Sequence, residues 1–121
     1  MANPNIASAT SILAKTNYGG LTTSLTEVLE NAASSNTVIK VNSIVIVNID
    51  GTNSADVTAT LSSSAGNFDQ TIAHLITVPA KTNLVLVSAD MRIYLEEDKA
   101  INLQASANND LNYYISYEII S

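Results

Sequence analysis

The sequence predicts an all-β protein, an antiparallel β-sandwich of about eight strands, jelly-roll or Ig-like, preceded by an extended N-terminal arm. Three observations carry this. From Leu21 onward, short apolar runs alternate with polar residues at period two. Clusters of Asn, Asp, Gly and Ser separate these runs at the close spacing typical of sandwiches. No amphipathic helix longer than two turns interrupts them, which excludes the alternating helices of a doubly wound α/β fold. With 121 residues the chain is one domain in size.

Residues 1–20 form the arm and residues 21–121 the sandwich domain. The arm is weakly patterned and ends in a Tyr18-Gly19-Gly20 turn signal. Its apolar residues Ile6, Ile12, Leu13 and Tyr18 are spaced too irregularly for one helix face or one strand face. Ordering such a segment costs about 1–2 kcal/mol of backbone entropy per residue, so these four are the expected anchors on a partner.

Leu21, Leu25 and Leu29 share a face of the first run, although Glu27-Val28-Leu29-Glu30 is also compatible with a helical turn. Thr37 to Ile49 reads as the central strand, with Val41, Val45, Val47 and Ile49 on one face and Ile44 and Ile46 on the other. After an Asp50-Gly51-Thr52-Asn53 turn, Ala55, Val57, Ala59 and Leu61 alternate with Asp56, Thr58 and Thr60 as in a half-exposed strand. Ser62 to Asn67 is a loop tip. Phe68, Gln70, Ile72, His74, Ile76 and Val78 then share a face up to Pro79, which cannot donate to a ladder. Leu84–Val87, Met91–Leu95, Ala100–Ala107 and Leu111–Ile119 complete the set. In the last, Leu111, Tyr113, Ile115, Tyr117 and Ile119 face the core and Asn112, Tyr114, Ser116 and Glu118 face out.

Composition narrows the function. Charged residues are only 13% of the chain, while Ser, Thr and Asn together make up a third, so small neutral groups cover the surface. The net charge of -6 opposes phosphate binding and excludes nucleic acid as a partner. Without cysteine there is no disulfide, zinc thiolate or thiol nucleophile. The apolar run at Ile44-Val45-Ile46-Val47 is far too short to span a bilayer, and the first residues lack the basic and apolar regions of a secretory signal.

Catalytic chemistry is poorly supplied. The single histidine, His74, shares its strand face with apolar residues and is expected in the core or an interface, in a structural role. No Gly-x-Ser-x-Gly elbow is present. Glu96-Glu97-Asp98 reads as a solvated turn. Asp50 to Asp56 is oxygen-rich, but it lacks the spacing and the bidentate Glu of a calcium loop and is explained by a hairpin turn. Neither cofactor nor metal is therefore expected. Tyr113 and Tyr117 are expected to fill the core, and Tyr114, on the polar face, to be available to a neighbour or a sugar ring.

Several stretches carry a resemblance. Lys40-Val41-Asn42-Ser43-Ile44, Asn48 through Val57, Val78-Pro79-Ala80, Ile93-Tyr94-Leu95-Glu96-Glu97 and Ile115 through Ser121 together resemble small virion structural proteins of tailed bacteriophages, especially those of marine bacteria and cyanobacteria. The likeness spans residues 37–121. It departs at Asp98-Lys99, where a turn glycine would be expected. The resemblance implies a non-enzymatic β-sandwich built into a virus particle at the head, neck or tail.

The expected function is a head decoration or cement protein that binds and stabilises the capsid through its sandwich and arm. Its partners would be the major capsid protein or other virion proteins and further copies of itself, assembled in the host cytoplasm, with no membrane and no small-molecule substrate. The alternative is a neck- or tail-associated module that binds a receptor or glycan.

Overall fold

The structure, a computed structural model, describes residues 4–63 and 69–121. Its nine strands are β1 (Ile12–Gly20), β2 (Thr26–Asn31), β3 (Val38–Asn48), β4 (Ala55–Ser63), β5 (Asp69–Val78), β6 (Asn83–Val87), β7 (Ile93–Leu95), β8 (Lys99–Ala105) and β9 (Leu111–Ile120). A short 3-10 turn, Ile6–Ser8, precedes them. All pairings are antiparallel, in two sheets ordered β1-β9-β3-β6 and β2-β8-β4-β5, with β7 continuing the β6 side of β3. Counting β6 and β7 as one interrupted strand, this is the jelly-roll order among the expected alternatives.

Between the sheets lie Val41, Ile44, Ile46, Val57, Val87, Leu95, Ile101, Leu103, Leu111 and Ile115, all fully buried. Two buried asparagines pin strand ends to neighbouring elements. Asn48 donates from Nδ2 to the carbonyls of Asn53 and Val78 (3.0 and 2.9 Å), and its Oδ1 accepts from the Asp50 N–H. Asn31 donates to the carbonyls of Thr37 and Leu95, both at 2.9 Å, and accepts from the hydroxyls of Ser35 and Thr37.

The second half of the arm is a strand. Nine residues, Ile12 to Gly20, pair in unbroken register with β9 and make β1 the edge of the first sheet. Its small and polar residues hid this, because an edge strand leaves most of its surface in water and needs no apolar alternation. Where Tyr113 lies against β1, the facing position is Gly19; a methyl group there would come within 3.2 Å of the tyrosine ring.

Bulges account for the other departures. A register shift between Val41 and Ser43 reverses the phase of β3, so Val41 joins Ile44 and Ile46 in the core while Val45 and Val47 face outward. Ile49 is exposed. A shift between Glu27 and Leu29 turns both Val28 and Leu29 inward, in a strand and not a helical turn, and Leu25, just before that strand, is exposed. Two shifts along β4 and β5, with Leu75 at φ 51°, break the face expected of β5. Asp98 adopts φ 66°, the left-handed geometry for which a glycine was expected. Ser62 and Ser63 belong to β4, whereas Ser64 to Phe68 lie outside the described residues.

Candidate interaction surface

Among the described residues the titratable side chains do not converge. His74 is exposed, which corrects its expected burial: the bulges in β5 rotate it out of the face that holds Val78. Asp50 uses its carboxylate on its own turn, accepting from the Thr52 and Asn53 N–H groups at 2.8 and 3.2 Å. These bonds hold its carboxyl below the ordinary carboxylate range. Glu97 Oε2 accepts from the Asn36 N–H at 2.9 Å, tying the acidic turn to the loop after β2. Among the described residues no three His, Asp or Glu side chains group as metal ligands.

What converges is an apolar row on the outer face of the first sheet. Tyr18 on β1 stands opposite Tyr114 on β9, Tyr114 opposite Val45 on β3, and Val45 opposite Val85 on β6. One register line therefore carries two aromatics and two valines across four strands. Tyr18 is 72% exposed and Val85 58%, and the tyrosine ring centroids lie 6.3 Å apart. Beside the row run Thr16, Ser116 and Ser43, and beyond them the Lys40–Glu118 pair at 4.0 Å. An aromatic centre with a neutral and then a charged border is the usual anatomy of a docking surface.

The expected anchors fall into three places. Tyr18 joins this row beside Tyr114, the separately expected surface contact, which is exposed as its register required. Ile12 and Leu13 are exposed at the start of β1. Ile6 lines a shallow depression with Pro4, Val38 and Tyr94. Tyr117 is buried as expected and donates to Asn17 Oδ1 at 3.1 Å, joining β9 to β1 beneath the surface, while Asn17 Nδ2 reaches the Val28 carbonyl across the sandwich. Val45 and Val85 were missed as surface residues, since the bulge that turns Val45 outward leaves no mark in the period-two pattern.

No family model matches the chain, and no curated protein matches it either. Among solved structures, the fold is similar to a chain from a structure described as "Bacillus endospore appendages form a novel family of disulfide-linked pili". The TM-score is 0.56 at 9% identity, over 100% of this chain and 96% of that one. At this identity the likeness is one of fold.

Proposed function

We propose that this chain is a non-enzymatic structural subunit of a larger protein assembly, which it joins through the outer face of the β1-β9-β3-β6 sheet. The supporting observation is the Tyr18-Tyr114-Val45-Val85 row, which leaves large apolar side chains in water on an otherwise neutral surface. The particular assembly proposed is the virion of a tailed bacteriophage, with the chain as a head decoration or cement protein. That step comes from the resemblance across residues 37–121, and the acidic balance suits the outside of a capsid better than its DNA-facing interior.

The pilus likeness favours a second reading, a subunit of a surface filament. Such a filament would lack disulfide links, since the chain has no cysteine. Electron microscopy of particles from cells expressing a tagged copy separates the two. Regular label over phage heads, weakened by Tyr18→Ser with Tyr114→Ser, is the expected result. Label along filaments selects the second reading, and label on neither overturns both.

A further inference from the structure

We infer that the free edge of β1 is a self-pairing interface, at which two copies of this chain join antiparallel about a two-fold axis at Thr16. The inference stands apart from the virion reading, because it concerns the chain alone.

The four sheet edges are not equally guarded. β2 is bulged and carries Glu27 and Glu30. β5 has two register shifts against its neighbour and a residue at φ 51°. β6 and β7 are short, with five and three residues. These are the features by which proteins blunt an open edge. β1 is the least guarded: nine residues in unbroken register, without proline, bulge or acid, and with Lys15 as its one charged guard.

Its backbone is presented for pairing. Ser11 and Ser121 exchange both backbone hydrogen bonds (3.1 and 2.9 Å), and the Leu21 N–H donates to Leu111 at 2.8 Å. Odd-numbered groups of this segment therefore bond β9, and antiparallel alternation turns the N–H and C=O of Ile12, Ala14, Thr16, Tyr18 and Gly20 toward the open edge.

The sequence is complementary to itself in one register. Centring the two-fold on Thr16 pairs all nine residues and sets each large side chain against a small one: Ile12 against Gly20, Leu13 against Gly19, Tyr18 against Ala14. Lys15, the strand's one charge, then faces Asn17; moving the centre to residue 15 would oppose two lysines. In a chain of net charge -6, the pairing strand is free of acids, so like-charge repulsion is least there. The axis stands perpendicular to the sheet, so both aromatic rows lie on one face of the joined sheet, and the isologous contact closes as a dimer.

Sedimentation of the full chain across the micromolar range tests the pairing, with a dimer expected. Thr16→Pro removes an N–H that β9 does not use, so it should leave the circular dichroism spectrum intact and weaken association by at least about tenfold. Because the chain has no cysteine, T16C supplies a lone thiol. Its two copies would sit with Cα atoms about 5.5 Å apart, within disulfide reach. In the same register two copies of K15C stand about 8 Å apart, beyond that reach. Rapid oxidation of T16C alone, with K15C and the distant T52C slow, fixes the register. A wild-type chain that stays monomeric, or K15C or T52C oxidising as fast as T16C, overturns the inference. A monomer that still labels particles overturns only the pairing, and a dimer that labels nothing overturns only the assembly reading.

Discussion

The centres of the two outer faces of this sandwich are built from the same neutral alphabet and have opposite characters, although Leu75 on the β5 edge is also exposed. On the β2-β8-β4-β5 sheet, Thr58, Thr60, Ser62 and Asn102 point outward yet are at most 9% exposed. They satisfy one another and the backbone: Asn102 Nδ2 donates to Thr60 Oγ1 at 3.1 Å and Ser62 Oγ at 2.9 Å, and Thr58 Oγ1 accepts from the Leu75 N–H at 3.2 Å. On the other sheet, Tyr18, Tyr114 and Val85 stand in water, while the hydrogen bond from Tyr117 to Asn17 lies beneath them. Small polar side chains close a surface when opposing strands place donors against acceptors. Where aromatic and branched residues meet in the same register, they leave apolar area for something else to cover.

This comparison requires one rigid body carrying both faces, and Asn48 is where it breaks most severely. Asn48→Ala strands the Asn53 and Val78 carbonyls and the Asp50 N–H at a buried junction. At about 1–3 kcal/mol for each unsatisfied buried group, the expected loss is at least about 3 kcal/mol in chemical denaturation. A loss below about 1 kcal/mol would mean that water replaces the side chain and that the pin is dispensable.

Matched substitutions on the two faces sharpen the contrast. Asn102→Ala removes both donors from the closed face and should cost about 1–3 kcal/mol. Tyr114→Ser on the open face should cost no more than about 0.5 kcal/mol and lower assembly instead. Equal stability losses would erase the distinction between a sealed surface and a docking surface.

The sequence shows this difference only in part. Strict alternation made most of β9 legible, including the outward Tyr114, because both of its faces have fixed environments, though the buried Ile120 at its end was not foreseen. β1 was illegible for the converse reason: an edge strand with one partner and little burial has no pattern to display. The bulges in β2, β3 and β5 were equally silent, since each depends on which strands lie opposite. That is why His74 was expected inside, and why Val45 was not recognised as part of the surface row. The buried asparagines were invisible too, because a pinning Asn and a turn Asn are the same letter until their partners are known.

Titration offers a finer version of the contrast. Asp50, in the turn after β3, is held below the ordinary carboxylate range by backbone hydrogen bonds. Its contribution is present above that range and is lost as pH falls through the lowered value. Asp50→Asn should therefore flatten the acid limb of a thermal melt series. A limb unchanged by the substitution would mean that the turn survives without its charge.

The smallest effect is expected at Glu27, beside Asn102 in the register of the closed face. Burial, and secondarily the neighbouring Glu30, raise its pKa above the ordinary value, so here the sign is reversed. A carboxyl with a raised folded pKa opposes folding when ionised; that penalty is complete above the folded pKa and disappears below the unfolded one. Glu27→Gln should therefore stabilise the protein slightly at neutral pH, within about 0.5 kcal/mol because the site is mostly solvated. The gap between variant and wild type should close as pH drops through the carboxylate range. A variant less stable than wild type at pH 7 would show that the Glu27 charge supports the β2 edge, and the closed sheet would then depend on an acid at its margin as well as on its hydroxyl and amide bonds.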